Sequence, residues 1–167
     1  MTVRRVGVVM GGSSGEREVS LASGTAIALG LEAKGIHVIR IELCERGNWA
    51  DALRAARIDV AFLALHGRLG EDGCVQGLCE VLGIPYTGSS VLASALAMDK
   101  VKAKELFRQH NVPTPPYYSF SLEQDFADIE GIHGSFGFPV VVKPRGEGSS
   151  LGVRVARDVP ALVDAIS

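Results

Sequence analysis

The chain has 167 residues, 47% hydrophobic and 22% charged, which is enough for one sizeable core or two small domains of an ordinary globular protein. A formal net charge of −2 gives no global electrostatic reason to expect nucleic acid or an anionic membrane surface as a partner. Cys44, Cys74 and Cys79 are an odd number without CxxC spacing, which argues against a disulfide framework or structural zinc and fits reduced, cytoplasmic thiols.

The start, MTVRRVGVVMGG, places two arginines before an apolar run too short for a signal-peptide core, and no stretch approaches transmembrane length. Val6 to Met10 predicts a strand buried on both faces, and Val19, Ala22, Ala26 and Leu29 recur after it at helical spacing. The pattern repeats with a strand over 37–43, a helix over 48–57, a strand over 60–65 and a helix over 73–83. Strands alternating with helices imply a parallel, doubly wound sheet, in which ligands bind beyond the carboxyl ends of the strands. The loops GGSSGERE and HGRLGEDG both lie on that edge.

Next, IPYTGSSVLASALAMDKVKAKELFRQHN reads as a short strand and helical segments. Three prolines between Pro113 and Pro116 cannot continue a helix, so a domain boundary is predicted there, giving domains 1–112 and 113–167. Beyond it, FPVVVKP reads as a buried strand, RGEGSSLG as a glycine-serine loop, VRVA as a second strand, and DVPALVDAIS as a helix with Asp158 as its N-cap. One hairpin and one helix form an α+β beginning that looks cut short.

The first loop is neither a dinucleotide fingerprint, since Ser13 and Glu16 stand where glycines are needed, nor a P-loop, since no Lys-Ser/Thr pair closes it. Ser13 and Glu16 have capping-box spacing, which is the reading that spacing alone favours; the functional alternative is that Glu16 pairs with a cationic group such as a substrate ammonium. His66 follows a buried strand and fits both a turn residue and a residue of the ligand edge; Glu71 and Asp72 read as loop and helix-start residues. No dense carboxylate-histidine cluster supports metal ligation by this chain. Lys100, Lys102 and Lys104 read as a solvated helix face, with Lys100 and Lys104 aligned and Asp99 and Glu105 as neighbouring charges. Lys143 ends a strand expected to be buried, beside GEGSSLG. That is a suitable cradle for nucleotide phosphates, with a snorkelling lysine as the alternative.

Taken in order, GGSSGEREVSLASG, ALHGRLGEDGCVQGLCEVLGIPYTGSSVLASALAMDKVKAK, PTPP and FPVVVKPRGEGSSLGV resemble the N-terminal and early central parts of the bacterial D-alanine-D-alanine ligase family of ATP-grasp enzymes. The resemblance implies a Rossmann-like parallel-sheet domain (pre-ATP-grasp) followed by an incomplete α+β ATP-grasp central domain. It implies that ATP phosphorylates one D-alanine and the amine of a second attacks the acylphosphate, giving the dipeptide for peptidoglycan. Glu16 then matches the glutamate at the first D-alanine site and Ser149 the loop serine hydrogen-bonded in one chain with it. His66 and Val19 match residues lining the substrate site; Lys100 and Lys143, with Glu147, Gly148 and Ser150, match the ATP site. Arg145-Gly146 departs from the usual pattern before GSS.

The resemblance places the Mg2+ or Mn2+ ligands, the loop tyrosine and the transition-state arginine outside these 167 residues, so the chain alone is expected to be inactive. Members of the family are commonly homodimers, and the cytoplasmic location expected here rests on the cysteine usage. A D-alanine-D-lactate ligase and a noncatalytic ATP-grasp-derived binding module remain as alternatives. A nicotinamide-dependent oxidoreductase is disfavoured by the broken fingerprint.

Overall fold

The computed structural model describes residues 5–44, 47–121 and 129–166. It divides into two compact units, Met1–Asp99 and Lys100–Ser167.

In the first unit, β1 (Val6–Gly11) leads into α1 (Arg17–Glu32), then β2 (Val38–Leu43), α2 (Trp49–Ala56), β3 (Val60–Leu63), α3 (Cys74–Leu82) and α4 (Val91–Met98). The strands form a parallel sheet in the order β2-β1-β3, with Val6 in register with Val38 on one side and Val60 on the other. The expected short strand near Tyr86 is a single parallel bridge to Ala61. Because side chains alternate across a strand, central β1 feeds two cores. Val9 packs with Ile41, Leu43, Leu53, Val75 and Cys79 beneath α2 and α3, while Val8 and Met10 pack with Ala28 and Ala64 beneath α1. Helices on both faces are the doubly wound arrangement expected from the sequence.

The inward face of α1 is not the one its apolar spacing picks out. Val19 and Leu29 are more than half exposed, and Ala22 and Ala26 are exposed as well. Ser20, Gly24 and Ala28 face the sheet instead. The cause is close approach: a Cβ on Gly24 would lie 2.6 Å from Met10 Cβ, so only small residues fit under this helix. Larger Leu21, Ile27 and Leu31 flank the contact.

The second unit contains α5 (Lys100–Gln109), α6 (Ile129–His133), β4 (Val140–Val142), β5 (Arg154–Ala156) and α7 (Val159–Ile166). β4 and β5 form the expected antiparallel hairpin, with Val141 opposite Val155. Asp158 Oδ1 accepts the Ala161 N–H at 2.8 Å at the start of α7, as its N-cap position requires. Ile129, Ala156, Leu162 and Ile166 form the core with Val140 and Val142 at its margin. The hairpin covers that core with one face only, so β4 is not the fully buried strand its sequence predicts: Val141 and Val155 are 54% and 56% exposed.

The two units meet in sequence at Asp99 and Lys100, before the prolines that set the predicted boundary at 112/113. Side-chain bonds explain the grouping. Lys104 Nζ donates to Thr114 Oγ1 at 2.7 Å and to the Pro115 carbonyl at 2.9 Å, and sits 5.2 Å from the Tyr117 ring centroid, tying α5 to the proline segment. Among the described residues no helix is long and apolar enough to cross a membrane.

Candidate functional site

In the first unit the site is built where β1 and β3 end. Ser20, fully buried in the first turns of α1, accepts the Gly11 N–H at 2.9 Å and donates to the Ala64 carbonyl at 2.6 Å, joining both strand ends to the helix. Ser14 Oγ donates to the His66 carbonyl at 2.7 Å and accepts the Glu16 N–H at 3.2 Å. Ser23 Oγ lies 3.1 Å from His66 Nε2. The two glycine-containing loops are therefore held together by side-chain hydrogen bonds and not by sheet pairing.

Glu16 is the N-cap of α1, and its side chain makes no capping hydrogen bond. The capping box predicted from Ser13 and Glu16 does not form: Ser13 is exposed, and Ser14 provides the local side-chain bond to the backbone. Glu16 is instead 5% exposed, with Oε2 beneath Gly67. A Cβ on Gly67 would fall 2.8 Å from that oxygen and 3.0 Å from Ser14 Cβ, and Gly67 has φ +67°. Both the space and the left-handed backbone call for glycine. A buried carboxylate at a helix start is a natural partner for a cation, since water is largely excluded from it.

The loop after His66 satisfies its own backbone. Glu71 Oε2 accepts the Gly67 N–H at 2.7 Å; Asp72 accepts the Leu69 N–H at 2.9 Å and the Cys74 N–H at 3.1 Å. Burial alone would push the Asp72 carboxyl up, but the donors from Leu69 and Cys74 outweigh it and hold it below the ordinary value. These carboxylates therefore play the loop and helix-start parts read from the sequence. Among the described residues no group of three or more His, Cys, Asp or Glu could hold a metal ion.

Arg17 closes the other side of the turn. Its Nη1 donates to the carbonyls of Gly12 and Leu43 at 3.0 and 2.8 Å, and its Nη2 pairs with Glu42 at 2.5 Å.

In the second unit, Lys100 Nζ donates to the Glu147 carbonyl, and the Lys100 N–H bonds to the Arg145 carbonyl at 3.1 Å. The first lysine of α5 is thus on the glycine-serine loop rather than on a purely solvated face, whereas Lys102 does pair with Glu105 at 2.7 Å. Lys143 is exposed, so no buried charge needs relief at the end of β4. Ser149 and Ser150 have φ +44° and +61° and are the central residues of a turn that the Leu151 N–H closes onto the Gly148 carbonyl. Successive left-handed residues bend the loop sharply between the two strands.

Models of a single family match most of this chain: D-ala D-ala ligase N-terminus over residues 5–57 and 50–89, and D-ala D-ala ligase C-terminus over residues 106–167. The chain belongs to the D-alanine-D-alanine ligase family. It is 52% identical over 154 residues to the D-alanine-D-alanine ligase of Desulforudis audaxviator (strain MP104C), covering 92% of this chain and 49% of that protein. The crystal structure of D-alanine-D-alanine ligase from Bacillus anthracis superposes with a TM-score of 0.83 at 39% identity, over 96% of this chain and 51% of that one. Its ATP complex gives 0.80 at 37%, over 96% and 53%. The chain spans about half the length of the curated relatives it matches. The ligases among its structural neighbours have the ATP-grasp fold.

Of the residues that the ligase resemblance singles out, Glu16 and His66 lie on the two joined loops, and Val19 is exposed on the α1 face it shares with Ser23. Lys100 and Glu147 are bonded to each other on the second unit's loop, which also carries Gly148, Ser149 and Ser150; Lys143 stands at the loop's entrance. Sequence reasoning missed Ser14, Ser20, Ser23 and Gly67. The serines' partners, Gly11 and Ala64 for Ser20 and His66 for both Ser14 and Ser23, include residues more than 40 positions away that local spacing does not reveal.

Proposed function

We propose that this chain supplies the first-substrate end and the ATP loop of a D-alanine-D-alanine ligase. The observation that carries the reading is the buried Glu16 carboxylate at the start of α1, roofed by Gly67 and framed by the Ser14–His66 bond. In this role Glu16 takes the ammonium of the first D-alanine, while His66 and Val19 line the site. Lys100, Lys143, Glu147, Gly148 and Ser150 serve ATP, and Ser149 is the catalytic serine of that loop.

The chemistry matches these residue types. Phosphoryl transfer from ATP to a D-alanine carboxylate spreads negative charge over the moving oxygens, which lysine ammonium groups and loop N–H groups offset. Closure of a glycine-rich loop excludes water from the resulting acylphosphate until the amine of a second D-alanine attacks it. The dipeptide would serve peptidoglycan synthesis in the cytoplasm, in a homodimeric enzyme that uses Mg2+ or Mn2+. No residue of this chain is assigned to the metal. The 167 residues alone are expected to give no turnover.

The test is Glu16→Gln in the complete ligase, which removes the charge and keeps the shape. The D-alanine requirement of ATP-driven phosphate release should rise for the first substrate and kcat should fall, with the first unit's stability, read from Trp49 fluorescence of the 167-residue chain carrying the same substitution, unchanged. Lost stability at unchanged kinetics would make Glu16 a structural residue and overturn the proposal.

A further inference from the structure

Ser23 Oγ has two neighbours of unequal kind: the Ser20 carbonyl at 3.2 Å, toward which it donates, and His66 Nε2 at 3.1 Å. A hydroxyl carries one proton, and a carbonyl oxygen can only accept. With its proton given to Ser20, the Ser23 oxygen is left as an acceptor, and Nε2–H is the donor beside it. In a neutral imidazole a proton on one nitrogen leaves a lone pair on the other. The His66 backbone is held independently, by Ser14 at its carbonyl and by Ser20 at the carbonyl of Ala64 two residues earlier. Helix α1 and the loop before it thus fix both the main chain and the ring of His66.

We infer that Ser23 is a positioning residue that keeps the proton of neutral His66 on Nε2 and makes Nδ1 the nitrogen that meets the ligand. Among the described residues His66 Nδ1 is neither hydrogen-bonded nor one of the buried polar atoms left without a partner, so it is open to a ligand at the strand edge. The second clause rests on the reading of His66 as a residue lining the amino-acid site; the first does not.

The experiment is nitrogen NMR of the chain labelled with 15N at its four histidines, with the His66 signals assigned by their loss in His66→Gln. Wild type should show neutral His66 mainly as the Nε2–H tautomer. Ser23→Ala should reduce the tautomer ratio about two- to tenfold, the worth of one ordinary hydrogen bond, and Ser23→Thr should restore it. An Nδ1–H tautomer in wild type, or an unchanged ratio in Ser23→Ala, overturns the positioning role. If Ser23→Ala fails to fold, the wild-type spectrum decides alone. Added D-alanine should move the Nδ1 signal more than the Nε2 signal; absence of that response with the tautomer result intact removes the ligand clause and leaves the positioning role standing.

Discussion

Replacing Gly67 with alanine isolates how the two loops of the first unit depend on each other. The new Cβ would stand 2.8 Å from Glu16 Oε2 and 3.0 and 3.1 Å from Ser14 Cβ and Oγ. Glu16 is buried, so its carboxylate cannot swing into solvent to make room. Ser14 must move, and its 2.7 Å bond to the His66 carbonyl is the interaction at risk. Alanine at φ +67° costs about 1 kcal/mol for the left-handed backbone alone. Loss of the Ser14 bond adds about 1 kcal/mol.

Gly83 supplies the control: it has φ +68° at the end of α3, with nothing within 4 Å of an added Cβ, so Gly83→Ala carries the backbone cost without the crowding. The difference between the variants, about 1 kcal/mol, corresponds to a midpoint gap of about 4–8 °C for a unit of this size. The sequence holds one tryptophan, Trp49, packed against the α2–α3 core, so its fluorescence during thermal unfolding reports on the first unit. Equal midpoints for Gly67→Ala and Gly83→Ala would refute the crowding argument, and with it the claim that Gly67 holds the Glu16 carboxylate and Ser14 in place.

Ser20→Ala should cost about 1–3 kcal/mol, because it leaves the Gly11 N–H and the Ala64 carbonyl without their buried partner; urea unfolding followed at Trp49 measures it. For Asp72, whose folded carboxyl lies below its ordinary value, the stabilising contribution is present while the carboxylate is charged and disappears as pH falls through that lowered value. The stability gap between wild type and Asp72→Asn should therefore shrink on acidification below the usual carboxylate range, and a gap that does not change with pH would contradict the assignment. Burial, aided by the charge of Glu80, pushes the Cys79 thiol up to about 11, whereas Cys44 and Cys74 are exposed. Alkylation of the folded chain near neutral pH, read by mass spectrometry, should modify those two before Cys79 and all three once urea is added.

The local patterns were legible wherever one element decides its own fate. Continuous apolar runs marked β1 and β3, alternation of strands with helices gave the wound parallel sheet, and Asp158 announced the start of α7. The order of the motifs was enough to identify the family, because several loops in sequence constrain identity more than any single loop does.

What the sequence could not supply was every property that depends on a neighbour distant in the chain. Periodicity assigned the wrong face of α1, since the inward face is chosen by how closely the helix approaches Met10 and not by which residues are most apolar. Capping-box spacing named Ser13, yet the bond that forms runs from Ser14 to His66, across 52 residues. Lys143 looked buried because its strand is apolar, but among the described residues β4 pairs with β5 alone and has a core on one face. The residue types and their order were written in the chain, while the pairing of Ser14, Ser20 and Ser23 with the end of β3, and the space that leaves Gly67 no side chain, were decided by packing.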